Sequence, residues 1–254
     1  MRDLRIKTLG AAEVWLEGRP VQWRAESARE LFFYLISNPH GHSRGHIIEQ
    51  LWDVPCDAHA SNRFRVTVHR VRHALGWHGA VIEEHGRYAL APEVLAASDL
   101  EAFAEALHQA EQAATPQQKV LHYEAALNLY TGEYLGDLET DWATETRAVV
   151  QRLFVQAELE LARLLDQQGR LEESTLALSC ALHADPYLGE NYHQTLIRQL
   201  AQTAGKYAAV EHYRRFVHFL RTEVGDTPMP ETLELVEQIK HSDLNFSARS
   251  SQPA

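Results

Sequence analysis

The sequence predicts a mainly α protein in two parts, a small α+β domain over residues 1–95 and an all-α array of helices over residues 98–245. Three observations point there. Apolar and polar residues alternate with a period of two only in short runs, before residue 25 and again near residue 85, whereas elsewhere apolar residues recur every three to four positions. A turn pattern repeats 36 residues apart, LDQQGRLEES around Gly169 and AQTAGKYAAV around Gly205, as paired helices in a repeat would. The charge divides at the same place: residues 1–95 hold 12 Lys+Arg against 11 Asp+Glu, and the remainder holds 12 against 24. The overall net charge of −11 therefore belongs to the second part and does not describe the first.

With 254 residues, 45% hydrophobic and 23% charged, the chain has the composition of a soluble globular protein. No apolar run approaches the ~20 residues that span a bilayer, and MRDLRIKTLG lacks the apolar core of a signal peptide. Two distant cysteines, Cys56 and Cys180, make no disulfide framework. These features predict a cytoplasmic protein without a membrane partner.

The elements come in the following order. LRIKTLG, AEVWLEG and RPVQW read as short antiparallel strands, with Glu17-Gly18 as a turn. SARELFFYLISNPH is a helix closed by Asn38-Pro39. Ser43 is placed to cap a second helix, SRGHIIEQLW, and DVPCDAHA is a polar loop after it. AVIEEHGRYAL reads as a hairpin turning near His85-Gly86, and APEVLAAS as a linker. From there to about residue 240 the pattern is helical throughout, a tetratricopeptide-like array, and residues 246–254 are expected to form a disordered tail.

Between the loop and the hairpin stands SNRFRVTVHRVRHALG, with four arginines in ten positions and no acid. The alternation of Phe64, Val66 and Val68 suggests a strand, but it fails at Arg70-Val71. Ser61 can cap a helix here and Gly76 can end it, so a helix is the better reading. At about 100° per residue, Phe64, Val68, Val71 and Leu75 form one narrow stripe that packs inward. Asn62, Val66, His69, Arg70 and His73 form the opposite face, Arg65 and Arg72 one shoulder, and Arg63 and Thr67 the other.

Such a helix suits a DNA major groove, which takes base-reading groups on the outer ridge and cations on both shoulders. Arg70 can donate to a guanine edge, Asn62 can pair with adenine, and Val66 can touch a thymine methyl. Arg63, Arg65, Thr67, Arg72 and His73 are placed for phosphates. His85 and Arg87 at the hairpin tip are placed for the adjacent groove. An ordinary solvated helix rich in arginine is the alternative, and the lack of any acid between residues 61 and 76 favours nucleic acid.

The order of these elements resembles the winged helix-turn-helix domain of OmpR/PhoB-type response regulators. RFRVTVHRVRHAL stands at that family's recognition helix and HGRYAL at its wing. The later segments ALNLYTGEYL, DWATETRAVVQRL, DQQGRLEES and HYRRFVHFLRTEVGDTPMPETLELVEQI resemble the bacterial transcriptional activator domain. Together they match the arrangement of SARP-type activators over residues 4 to about 240. The resemblance implies a transcriptional activator that binds tandem direct repeats of double-stranded DNA as side-by-side pairs. The recognition-helix contacts would then map to Asn62, Arg65, Val66, Arg70 and Arg72, with His69 a further base-reading candidate on the same ridge. It also implies contact with the sigma or alpha subunit of RNA polymerase through the loop Trp52–His59, with Asp53, Val54, Pro55 and Asp57 as candidates.

Other chemistry is less supported. His40, His42 and His46 cluster, and His69 and His73 are four apart, but no cysteine pair or HExxH accompanies them, so no metal is expected. His69 at the ridge is instead a candidate for pH sensitivity. Asp137, Glu139, Asp141 and Glu145 read as a solvated loop and helix start. No phosphate-binding glycine loop or nucleophile elbow occurs, so neither cofactor nor catalysis is expected. Trp142, Tyr187, Tyr192 and Tyr207 read as core fillers, and the helical array offers a groove for a small-molecule or protein effector. The rival reading is a helical-repeat adaptor whose N-terminal domain binds protein rather than DNA.

Overall fold

The computed structural model describes residues 3–241, in two compact units divided between Leu153 and Phe154. The expected tail at residues 246–254 lies outside the described residues.

In the first unit, strands β1 (Leu4–Lys7), β2 (Glu13–Leu16) and β3 (Arg19–Pro20) form an antiparallel sheet in that order, with Leu4 opposite Leu16 and Ile6 opposite Val14. Glu17 and Gly18 make the turn, both at positive φ. Alternation sends Ile6 and Val14 inward while Arg5 and Lys7 stay in solvent. Helix α1 (Glu26–Ser37) buries every residue from Leu31 to Ile36, because it is packed on nearly all sides. Helix α2 (Arg44–Trp52) starts at Ser43, whose hydroxyl accepts from His46 N. Helix α3 (Ala58–Ala74) packs on both. A second sheet has the order β4-β6-β5, formed by His42–Ser43, Arg87–Leu90 and Val81–Glu84, and its hairpin turns at His85-Gly86 with both residues at positive φ.

Two local readings need correction. The helix at the arginine stretch is capped four residues earlier than Ser61, at Asp57, whose Oδ1 accepts the Ala60 N–H at 2.7 Å. The segment read as a linker contains a short helix, α4 (Pro92–Leu95), opened by proline at its first position. Ser98 then caps α5 (Asp99–Gln112), and Thr115 caps α6 (Pro116–Leu127).

The first unit runs past residue 98 because polar groups stitch β1 and its neighbours to segments far along the chain. The Asp99 carboxylate accepts from Thr8 N at 2.8 and 2.9 Å, from Thr8 Oγ1 at 2.6 Å and from Leu9 N at 3.1 Å. Asp137, exposed in its loop, also accepts from Ala12 N at 2.6 Å and from Arg29 at 2.8 Å, so it ties distant segments together. The Tyr134 hydroxyl, buried, shares a 2.7 Å hydrogen bond with Ser37. Arg147 donates to the carbonyls of Tyr134, Leu135, Leu138 and Thr140, which fixes the loop ahead of α7 (Thr144–Gln167).

The second unit takes up the C-terminal part of α7, with α8 (Leu171–Ala184), α9 (Glu190–Thr203), α10 (Lys206–Phe219) and α11 (Pro230–His241). The repeated glycines Gly169 and Gly205 sit at equivalent turns, before α8 and before α10. Their φ values of +73° and +89° explain why glycine recurs there. Ser174 Oγ donates to Ala162 O and accepts from Gln199, joining three helices. Ile197, Ala201, Ala209, Val236 and Ile239 form a core between α9, α10 and α11. A π-helical turn at Leu220–Val224 comes after α10. Tyr187 and Tyr207 are not core fillers: they are 68% and 84% exposed, since both fall on the solvent side where helices begin or end.

Candidate nucleic-acid interface

Helix α3 has an apolar inner stripe of Ala60, Phe64, Val68, Val71 and Leu75, all buried. Phe64 packs edge-on against Tyr88 at 4.8 Å, which fixes the helix against the β5–β6 hairpin. That packing settles which residues stay outside. Asn62, Arg63, Arg65, Val66, His69, Arg70 and His73 are all exposed, and Val66, at 41%, is an apolar group left on the outer ridge. The helix carries no carboxylate, and the nearest acids in sequence are Asp57 at its cap and Glu83 beyond it.

The cations along this face are of two kinds. Arg65 and Arg70 make no hydrogen bond or ion pair among the described residues, whereas Arg29, Arg163, Arg170 and Arg214 each meet a carboxylate. Three others are held. Arg63 lies over the Trp52 ring at 4.0 Å, a cation–π contact that aims it toward the end of α2. Arg72 donates through Nε and Nη2 to Val81 O at 3.3 and 2.7 Å, tying α3 to β5. Arg87, next to the hairpin turn, donates to the carbonyls of His40 and Gly41 and ties that end of the hairpin to the segment ahead of β4. Their charge still adds to the field of the face, but their geometry is fixed by the fold.

Thr67 requires correction as a phosphate candidate. It is 1% exposed, and its hydroxyl donates to Arg63 O at 2.9 Å, because one helical step from Phe64 and Val71 places it at the edge of the packed stripe. His85 stands exposed at the hairpin tip. Asp53, Val54, Pro55 and Asp57 are exposed between α2 and α3, with Asp53 in a left-handed conformation that ends α2. The His42 and His46 rings lie 4.4 Å apart at a tilt of 41°, and burial, with His46 and Arg87 nearby, lowers the His42 pKa.

The longer N-terminal end of α3 adds one residue the sequence reading missed. His59 is exposed in the first turn, on the ridge that continues through Asn62, Val66 and His73. The signal was Asp57, a stronger capping position than Ser61, which is itself buried.

Comparison with known proteins adds three findings. The family model described as bacterial transcriptional activator domain matches residues 98–240. The regulatory protein AfsR of Streptomyces griseus is 26% identical over 261 residues, covering 99% of this chain and 26% of that protein. The chain thus spans about a quarter of the length of this curated relative. A solved structure of Mycobacterium tuberculosis EmbR, in complex with a low-affinity phosphopeptide, superposes with a TM-score of 0.72 at 23% identity. That similarity covers 94% of this chain and 65% of the EmbR chain.

Proposed function

Since the chain belongs to the bacterial transcriptional activator domain family, in the arrangement of SARP-type regulators, we propose that it is a cytoplasmic transcriptional activator whose first unit reads double-stranded DNA. In this reading α2, α3 and the β5–β6 hairpin act as a winged helix-turn-helix, with α3 in the major groove. Asn62, Arg65, Val66, His69 and Arg70 face base edges, while His59, Arg63 and His73 lie toward the phosphates. Two copies sit side by side on a tandem direct repeat. The exposed loop Asp53–Asp57 meets the sigma or alpha subunit of RNA polymerase. No reaction is assigned to the chain.

The observation that supports this best is the pair of unpartnered guanidiniums on an acid-free ridge. Several arginines elsewhere in this acidic chain, such as Arg29, Arg163 and Arg170, meet carboxylates, whereas Arg65 and Arg70 stand on a helix that carries no acid, with Asn62 and Val66 beside them, a surface matched to a polyanion with readable edges. Among the described residues no helix is long and apolar enough to cross a membrane.

The test is selection of bound duplexes from a random library with the full chain, followed by salt titration of the selected site. A direct repeat should be enriched, and log affinity should fall with log salt by about 0.9 per phosphate contact. Arg70→Ala should cost about 1–3 kcal/mol and relax preference at one base pair of each half-site. Enrichment of no sequence, or affinity indifferent to both salt and Arg70, would refute the reading.

A further inference from the structure

Arg63 and Trp52 meet across two helices. Trp52 is the last residue of α2 and Arg63 stands in the second turn of α3, with its guanidinium carbon 4.0 Å from the centre of the indole. Trp52 is half-buried, and its Nε1 is enclosed without a hydrogen-bond partner, whereas Arg63 is exposed. The ring therefore belongs to the packed layer and the cation to the surface.

An aromatic face holds an arginine differently from a carboxylate. A carboxylate neutralises the charge and occupies the N–H donors. A ring attracts the guanidinium through its quadrupole, leaves the charge whole, and leaves the donors at the guanidinium edge open. Arg29, Arg163 and Arg170 are held in the first way and Arg63 in the second. Among the described residues the Arg63 guanidinium makes no hydrogen bond and no ion pair. Glu30, half-buried on α1, does not capture it: burial is the main cause of the raised Glu30 pKa, and Arg63 is the least of the influences on that carboxyl. A long cation fixed in advance loses less freedom when it meets an anion, so pre-ordering favours binding. Arg65 and Arg70 have no such support.

We propose that Trp52 is a positioning residue for DNA binding, whose ring holds Arg63, charged and with open donors, for a backbone phosphate beside the groove that α3 enters. The proposal rests on the DNA-reading function of α3 and adds to it a residue of α2 that acts through Arg63.

The test is a double-mutant cycle with the full chain on a duplex selected as above, read by fluorescence anisotropy over a series of salt concentrations. Arg63→Ala should weaken binding about three- to tenfold and reduce the log–log salt slope by about 0.9, the share of one phosphate. Trp52→Leu keeps an apolar side chain and should weaken binding about as much. Trp52→Phe keeps an aromatic face and should retain most of the native affinity. Trp52→Leu added to Arg63→Ala should cost nothing further, whereas a merely structural tryptophan would give additive losses. A far-ultraviolet spectrum checks folding, and if the leucine variant does not fold, Trp52→Phe and the salt slope of Arg63→Ala carry the test. Additive losses, a phenylalanine variant no better than leucine, or an unchanged salt slope in Arg63→Ala would overturn the proposal. Arg70→Ala separates the two levels: if it weakens binding while Trp52 and Arg63 show no coupling, this proposal alone fails. If no duplex is selected, the DNA-reading function fails and this proposal with it.

Discussion

Asp99→Ala is expected to destabilise the first unit by about 3–5 kcal/mol. The carboxylate takes both the Thr8 and Leu9 N–H groups and the Thr8 hydroxyl, and Thr8 and Leu9 are 0% and 1% exposed. Alanine would leave these donors buried with no acceptor, and each buried orphan costs roughly 1–3 kcal/mol. Asp99→Asn keeps one carbonyl oxygen and should recover part of the loss. All five tryptophans, Trp15, Trp23, Trp52, Trp77 and Trp142, lie before residue 153, so urea unfolding followed by tryptophan fluorescence reads this unit alone. Arg5→Ala is the contrast in the same unit: its exposed pair with Asp3 should be worth a few tenths of a kcal/mol. A loss below about 1 kcal/mol for Asp99→Ala would mean that water reaches Thr8 when the carboxylate is gone.

This dependence explains why a fragment ending at residue 97 is a poor surrogate for DNA selection. It would lack Asp99, Asp137 and Tyr134, and with them the partners of Thr8, Ala12 and Ser37. Helix α3 is anchored within the same unit, so instability there would pass for loss of DNA binding.

The inner stripe of α3 was legible because Phe64, Val68, Val71 and Leu75 are all apolar and spaced for one face. The strands, the Ser43 cap and the His85-Gly86 turn were legible for the same reason: their causes lie within a few residues. The features that escaped the sequence act over distance. Asp99 and Asp137 meet partners 91 and 125 positions away, and nothing in their neighbourhood distinguishes them from solvated acids. The stacking of Arg63 on Trp52 and the tie from Arg72 to Val81 removed geometric freedom from two arginines that helical position alone left equivalent to Arg65 and Arg70. Thr67 was misplaced because a stripe drawn from apolar residues stops short of a threonine whose hydroxyl is satisfied by its own helix.

Glu158→Gln is expected to stabilise the second unit by about 2–3 kcal/mol at pH 8 and to change little at pH 4. Glu158 is 7% exposed on α7, and burial alone raises its pKa from 4.5 to about 7. The carboxylate also helps burial to keep the Cys180 thiol protonated. Proton counting gives the sign. Between pH 4.5 and 7 the folded chain holds a proton that the unfolded chain has released, so stability falls as pH rises across that window and levels off above it. At pH 8 the folded unit carries an ionised carboxylate in an apolar setting, which the glutamine variant does not. The unit has no tryptophan, so its unfolding is tracked by hydrogen exchange of amides on α8, α9 and α11, at several pH values. The native chain should lose protection between pH 5 and 7.5 while the variant, after correction for intrinsic exchange, stays level. Parallel curves for the two proteins would show that Glu158 reaches solvent in the folded state and carries no pH dependence of its own.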